Sequence, residues 1–167
     1  NRYFKNSNKR LLGTKYIIFR KNIENYLNKK IENYIFVFFG GSDPESLTET
    51  FIENIVKKNP MKTFLIKVGF FSKFNTLNYN YKNIIFSDED DEIFDLISHS
   101  KYVIIAGGNI LYECIFLKKK AFVLAQNKHQ EKFAKIAENI GCIEYFGCSP
   151  NINLDLLNKR INNLITN

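Results

Sequence analysis

The sequence is poor in cysteine and lacks long apolar runs, and each shortage excludes a class of protein. None of its three cysteines lies in a CxxC spacing, so the sequence predicts neither a zinc site nor a dithiol redox pair. No apolar run approaches the roughly 20 residues that span a bilayer. The polar, basic first ten residues lack the apolar stretch of a secretory signal. These absences predict a chain without a transmembrane segment in the reducing cytoplasm.

Catalytic and nucleotide-binding signatures are also scarce. The two histidines, His99 and His129, have no evident nucleophile partner of the Ser-His-Asp kind. The motifs GxGxxG and GxxxxGK[ST] are missing, which argues against a dinucleotide oxidoreductase and a P-loop NTPase. The sequence therefore predicts no catalytic residue, no cofactor and no self-contained active site.

The charge is basic but dispersed. Lysine and arginine number 24 against 17 acidic residues, giving a net charge of +7. The one tight basic run, Lys118–Lys120, follows an expected helix, where cations suit the negative end of the helix dipole. Because no groove-reading motif accompanies the charge, nucleic acid is not predicted as a partner.

An acidic stretch at residues 87–92 has two interpretations. Acidic groups favour the first turn of a helix, so the stretch predicts a helix start that continues through His99. A metal site is the alternative, but consecutive residues on a helix do not face one another. The helix start is preferred, and no metal site is predicted.

From residue 34 onward, apolar strand-like runs alternate with helical patterns, which is typical of a parallel α/β sheet. The 167 residues of the chain suit a single core. Residues 1–20 are expected to lead into a domain at 21–167. The fold class is α/β, a Rossmann-like parallel sheet of about six strands with helices on both faces. The expected strands are at 34–39, 61–68, 83–86, 102–106, 121–125 and 142–145, and the helices are at 46–58, 87–99, 109–117, 127–139 and 153–165.

Two glycine pairs follow expected strands. Gly40-Gly41 comes after the first and Gly107-Gly108 after the fourth. Ligands of open α/β sheets bind at the carboxyl ends of strands, and glycine allows the backbone to approach them closely. The helix that starts at Asn109 offers free amides and a positive dipole end to phosphate oxygens. The second pair therefore predicts a phosphate-binding loop.

Further polar residues accompany these loops. Glu113 lies four residues after Asn109 and so on the same helix face, where a carboxylate could accept hydrogen bonds from the vicinal hydroxyls of a ribose. A solvent-exposed helix residue is the alternative. After the fifth strand, Asn127 and Gln130 belong to a polar cluster that either contacts a ligand or simply opens a helix.

These segments resemble the carboxyl-terminal half of the pseudaminic-acid nucleotide-sugar hydrolases, whose relatives include the spore-coat polysaccharide proteins and, more distantly, the lipid II glycosyltransferase family. The resemblance covers about residues 11–147. It implies the second Rossmann-like domain of a two-domain GT-B architecture, with a UDP-sugar held between the domains. The matching segments are Phe38–Pro44, Ile105–Glu113, Asn127–Gln130 and, more weakly, Leu12–Arg20.

The resemblance also implies roles for residues. It assigns the diphosphate to Gly107, Gly108 and Asn109, the ribose to Glu113, the lining of the cleft to Gly40, Gly41 and Ser42, and the sugar or phosphates to Asn127 and Gln130. The catalytic histidine of the hydrolases lies in a glycine-rich loop of the first domain, and no such loop occurs here. This chain alone is expected to be inactive.

Three functions remain open at this stage. The chain is expected to be the carboxyl-terminal domain of a UDP-sugar hydrolase in surface-glycan biosynthesis, with the amino-terminal domain of the same protein as its partner. The alternatives are the corresponding domain of a GT-B glycosyltransferase and a stand-alone nucleotide-binding module without catalysis.

Overall fold

A seven-stranded sheet with the strand order β3-β2-β1-β4-β5-β6-β7 forms the centre of the protein. The computed structural model describes residues 16–139, 141 and 143–164. Strands β1 to β6 are parallel, and only β7 pairs antiparallel, with β6. The strands are β1 (Ile35–Phe38), β2 (Phe64–Ile66), β3 (Ile84–Phe86), β4 (Tyr102–Ile105), β5 (Ala121–Ala125), β6 (Ile143–Cys148) and β7 (Asn151–Ile152).

Helices cover both faces of this sheet. Alternate residues of the central strands enter two separate cores. In β1, Val37 belongs to the core that includes the first and last helices, whereas Phe36 belongs to the core that includes the three helices between them. Strands buried on both faces explain the near-continuous apolar runs in the sequence. The helices are α1 (Leu47–Phe51), α2 (Ile93–His99), α3 (Asn109–Phe116), α4 (Lys128–Glu138) and α5 (Leu154–Asn162), with a π-helical turn at Ile52–Val56 and 3-10 turns at Ile23–Tyr26 and Thr76–Asn78.

The predicted fold class is therefore confirmed, with one strand more than expected. The order β3-β2-β1-β4-β5-β6 is that of a doubly wound Rossmann-like sheet. The additional strand, β7, has only two residues and closes the sheet after β6. The helix expected at 153–165 is also present, and its Leu157 and Ile161 side chains are fully buried.

Several boundaries differ from the prediction. The second strand was expected at 61–68 but spans Phe64–Ile66. Met61, at the start of the expected strand, is exposed and does not contribute to the core. The helix expected at 46–58 is α-helical only at Leu47–Phe51 and continues as the π-helical turn. The short β-type run at Lys15–Arg20 of the sequence gives no strand at residues 17–20, and Lys15 lies outside the described residues.

The helix start predicted for the acidic stretch is wrong. Helix α2 begins at Ile93, after the acidic residues. The Asp91 carboxylate instead accepts a hydrogen bond of 2.9 Å from the backbone N–H of Asp88. A local side-chain bond of this kind stabilises a turn in competition with the helix. The acidic residues therefore form the approach to α2.

The end of α4 follows the prediction. Gly141 has φ +77°, and its N–H donates to the carbonyl of Glu138 at 2.9 Å. This is the left-handed conformation expected of a glycine at a helix carboxyl end. Cys142, the expected start of the sixth strand, lies outside the described residues. Among the residues that the structure describes, no helix is long and apolar enough to cross a membrane.

Candidate functional site

The candidate site lies at the carboxyl edge of the sheet, where β1 and β4 are neighbours. From β1 the chain moves outward to β2 and β3 and then returns to β4 on the other side of β1. The loops after β1 and β4 therefore diverge to opposite faces and leave the crevice in which open α/β sheets bind ligands. The first glycine loop (residues 40–42) and the second glycine loop (residues 107–108) flank this point.

The second glycine loop has a backbone that other residues rarely adopt. Gly107 has φ +113° and Gly108 has φ +79°. A Cβ atom on Gly107 would lie 3.3 Å from the Cβ atom of Gln130, so this loop packs closely against the start of α4. A Cβ atom on Gly108 would meet nothing within 4 Å. Gly108 thus leaves open space at the start of α3.

Helix α3 begins directly after this loop, at Asn109, and spans eight residues. Its N-cap residue is Gly108, which has no side chain to satisfy the first amides. Amides left free at a helix start, together with the positive end of the dipole, form an anion-binding position. The second glycine loop and α3 therefore have the local geometry of a phosphate site.

Glu113 is buried on α3, one turn after Asn109. Its side chain is 5% exposed, which rules out the alternative of a solvent-exposed helix residue. Its Oε1 atom accepts a hydrogen bond of 3.3 Å from Arg20 Nε. Its Oε2 atom is buried without a hydrogen-bond partner among the described residues. A buried carboxylate oxygen without a partner costs free energy, so this residue has unused capacity to accept hydrogen bonds.

The first glycine loop leads into a capped helix. Gly40 has φ +96°, and both carboxylate oxygens of the buried Asp43 accept hydrogen bonds of 2.9 Å from backbone amides, those of Leu47 and Thr48. The carboxylate satisfies the first amides of α1, so this helix start is occupied by the protein itself. It is not available to a ligand.

The loop after β2 crosses over the first glycine loop. The N–H of Phe71 donates to the carbonyl of Gly41 at 2.8 Å. The two loops enclose a cavity of about 490 Å³. Its lining residues come from both loops and from the start of α1: Ser42, Asp43, Pro44, Ser46, Glu49, Phe71, Ser72, Lys73 and Phe74.

The loop after β5 is joined to its neighbours by side-chain amides. Asn127 caps α4, since its Oδ1 atom accepts a 3.0 Å hydrogen bond from the N–H of Gln130. Gln130 Oε1 in turn accepts a 2.8 Å bond from the N–H of Gln126. Gln126 Nε2 donates to the carbonyl of Phe39 and lies 3.4 Å from Asp43 Oδ1. These contacts place Asn127 and Gln130 beside both glycine loops.

The structure also locates the two histidines and the buried thiol of Cys114. His99 ends α2, where its Nδ1 atom lies 2.9 Å from the carbonyl of Asp95. His129 packs against the edge of Phe133. Burial raises the pKa of the Cys114 thiol far above its ordinary value, so it is not a nucleophile at neutral pH. Within the described part of the chain, no three metal-binding side chains cluster.

Replacing Asp43 with alanine is expected to lower the free energy of unfolding by about 1–3 kcal/mol, because two buried backbone amides lose their acceptors. Asp43→Asn, which keeps one oxygen, should cost less. Chemical denaturation measures both changes. The exposed Asp90 supplies the control, since its alanine variant should stay within about 0.5 kcal/mol of the unaltered protein. An equal loss in both alanine variants would contradict the capping role.

The fold and this geometry can be compared with known proteins. No protein-family model matches the chain. It is 31% identical over 150 residues to an uncharacterised protein of Methanocaldococcus jannaschii, MJ1062, and the match covers 78% of this chain and 30% of that protein. The chain therefore spans less than a third of the relative's length.

Solved structures with the same fold include two glycosyltransferases. The glycotransferase of kitacinnamycin has a TM-score of 0.62 at 16% identity, over 77% of this chain and 34% of that one. The chain has a GT-B-like fold. SnogD from Streptomyces nogalater has a TM-score of 0.57 at 13% identity, over 72% and 34% of the two chains.

A third structure of this kind is an epimerase. The UDP-GlcNAc 2-epimerase of Methanocaldococcus jannaschii, solved in complex with UDP-GlcNAc and UDP, has a TM-score of 0.56 at 14% identity. It matches over 89% of this chain and 43% of its own. At these identities the likeness establishes the Rossmann-like architecture of the sheet and its helices.

Two residues of the site have contacts that the sequence did not indicate. Arg20 reaches Glu113 across 93 positions, and no periodic pattern connects residues so far apart. Gln126 directly follows a buried strand, so the sequence predicts that it lies at the carboxyl edge of the sheet. Its bonds to the loop after β1 could not be predicted, because they depend on the order of the strands in the sheet. That order is a property of the topology.

Proposed function

We propose that this chain is the nucleotide-sugar-binding domain of a UDP-sugar hydrolase in surface-glycan biosynthesis of the pseudaminic-acid type. The central observation is the buried Glu113 on α3, one turn after the open start of that helix. In the proposed reaction, water adds across the linkage between sugar and UDP, which breaks to give UDP and the free sugar. The catalytic histidine belongs to an amino-terminal domain of the same cytoplasmic protein.

In this proposal the diphosphate binds at the start of α3. The free amides of the first turn donate to phosphate oxygens, and the open space beside Gly108 leaves room for them. Gly107 has no side chain and so lets this loop pack closely against α4. Phosphate charge is held by amides and the helix dipole, so the proposal requires no metal ion and no cofactor.

The ribose binds beside the diphosphate, at Glu113. Side chains in a helix lean towards its amino terminus, so the carboxylate is directed back towards Asn109. Vicinal hydroxyls would donate to this carboxylate, whose Oε2 atom is buried and has no hydrogen-bond partner among the described residues. In this proposal the diphosphate and the ribose lie along one face of α3.

The sugar lies beyond the diphosphate, between the loops after β1 and β5. Gly40, Gly41 and Ser42 form one wall, and Ser42 also lines the 490 Å³ cavity. Asn127 and Gln130 form the other wall through their side-chain amides. Ser42, Asn127 and Gln130 supply polar groups that can bond to the sugar, and the proposal assigns catalysis to a second domain.

The proposed partner domain would face an apolar groove next to the phosphate site. The groove, of about 660 Å³, is bordered by Asn109. Its other lining residues are largely apolar: Tyr16, Ile17, Ile18, Tyr112, Phe133 and Ile136. Ile18 is 92% exposed and belongs to the segment that leads into the domain. Exposed apolar side chains beside a ligand site favour coverage by another part of the protein.

Binding is tested by titrating UDP into the ¹⁵N-labelled protein. The amide signals of Gly107, Gly108 and Asn109 should shift, and Glu113→Gln should raise the Kd for UDP about tenfold, because a charged acceptor is lost. The matched control is Glu144→Gln. Glu144 is also paired with an arginine, Arg160, but lies near the start of β6, away from the carboxyl edge. Unchanged signals at millimolar UDP would refute the proposed site.

A glycosyltransferase domain is the second candidate, because two of the solved structures with this fold are glycosyltransferases. The reactions are separated by measuring UDP release from UDP-sugars by the full-length protein, with and without a sugar or lipid acceptor. Release in water alone is expected. Release that requires an acceptor would replace the hydrolase with the transferase.

A further inference from the structure

Arg20 is the polar partner of Glu113 from the segment that precedes the first regular element. Its Nε atom lies 3.3 Å from Glu113 Oε1. Arginine is charged at every accessible pH and has five N–H donors in a rigid fork. Only one of those donors is used here among the described residues.

The guanidinium group is also fixed from a second side. Its central carbon lies 4.5 Å from the centroid of the Phe94 ring, in a cation–π arrangement. Phe94 is buried on α2, so Arg20 is held between α2 and α3 by two unrelated contacts. The hydrogen bond at Nε and the ring packed over the guanidinium plane together define the orientation of this side chain.

The burial of the two partners shows how they are arranged. The Arg20 side chain is 56% exposed, whereas that of Glu113 is 5% exposed. The guanidinium therefore lies on the solvent side of the carboxylate. The orientation of the buried carboxylate is therefore set from its solvent side by this arginine.

The pairing leaves the carboxylate with spare capacity. An ionised carboxylate offers about four lone-pair positions, and Arg20 occupies one of them. The other oxygen is buried and has no hydrogen-bond partner among the residues that the structure describes.

We propose that Arg20 is a positioning residue that holds the Glu113 carboxylate, through Nε, in the orientation that recognises the vicinal hydroxyls of a nucleotide ribose. This inference rests on the proposed function, because it assigns a partner to the residue proposed to bind the ribose. Arg20 acts through Glu113 and is not itself assigned to the diphosphate. We therefore expect Arg20 to affect how strongly the protein prefers a ribonucleotide over a 2′-deoxyribonucleotide.

The experiment compares UDP with 2′-deoxy-UDP by calorimetry on the full-length protein. The unaltered protein should prefer UDP by roughly tenfold, the value of a hydrogen bond to a charged group. Arg20→Met should reduce this preference to about twofold, and Arg20→Lys, which keeps the charge, should retain part of it. Arg160→Met is the matched control, since Arg160 pairs with Glu144 away from the crevice and should leave the preference unchanged.

The preference is a ratio, so a partly unfolded variant that binds both nucleotides less would leave it unaltered. A ratio that stays near tenfold in Arg20→Met overturns the inference, including when both affinities fall together because Arg20 contacts the diphosphate. Tighter binding of UDP by Arg20→Met also overturns it, because Arg20 would then be covering the carboxylate. If the unaltered protein binds no UDP, the proposed function is refuted. If the unaltered protein binds UDP with the expected preference and Arg20→Met keeps that preference, only this inference is refuted.

Discussion

Replacing Gly69 with alanine is expected to lower the free energy of unfolding by about 3 kcal/mol and to displace the first glycine loop. An added Cβ atom would lie 2.2 Å from the carbonyl oxygen of Gly40 and 2.4 Å from that of Gly41. Both neighbours are backbone atoms, so no side-chain rotation relieves the contact. The loop after β1 has to move, together with the cavity that it lines.

Chemical denaturation measures the loss of stability, and amide chemical shifts report the displaced loop. Gly41→Ala is the matched control, because a Cβ atom there meets nothing within 4 Å. It should stay within about 0.5 kcal/mol of the unaltered protein. A Gly69→Ala variant as stable as Gly41→Ala would show that the two loops are not in contact.

Phe122→Ala is expected to lower the free energy of unfolding by about 3–5 kcal/mol, the usual range for removing a buried phenylalanine. Phe122 is fully buried in the central strand β5. Its ring lies 5.6 Å from that of Phe146 in an edge-to-face contact and 6.0 Å from that of Tyr102 in a stacked one. Such a loss is a large part of the roughly 5–15 kcal/mol that stabilises a domain.

Denaturant midpoints measure this effect directly. Phe70→Ala removes the same side chain where it is 76% exposed and should cost less than about 0.5 kcal/mol. Similar losses in the two variants would mean that the core on this face of the sheet does not depend on the aromatic cluster. Because Phe122 lies near the start of β5, away from the carboxyl edge, the folded fraction of Phe122→Ala should still bind UDP.

The sequence predicts the central strands well because their environment is simple. Ala121–Ala125 is buried at every position, so a continuous apolar run coincides with the strand. The prediction weakens where only part of a run is covered, as at Met61, or where a side chain bonds locally, as at Asp91. Strand β7 has two residues, one of them Asn151, and gives no apolar signal.

The candidate site was predictable in its local parts. Each glycine loop directly follows its strand, and the second loop directly precedes α3. A strand–glycine–helix pattern in the sequence is therefore enough to indicate them. Partners from distant segments were not predictable, because the contact of Arg20 with Glu113 depends on how the chain enters the domain. The burial of Glu113 likewise depends on tertiary packing.

Gln126 gives the candidate site a property that no single loop has. Its side-chain amide bonds to the loop after β1 and its backbone amide to α4, while Asp43, which it also approaches, caps α1. The loops that follow β1 and β5 are therefore linked at fixed separations before any ligand arrives. If the sugar binds between these loops as proposed, binding does not have to order them first.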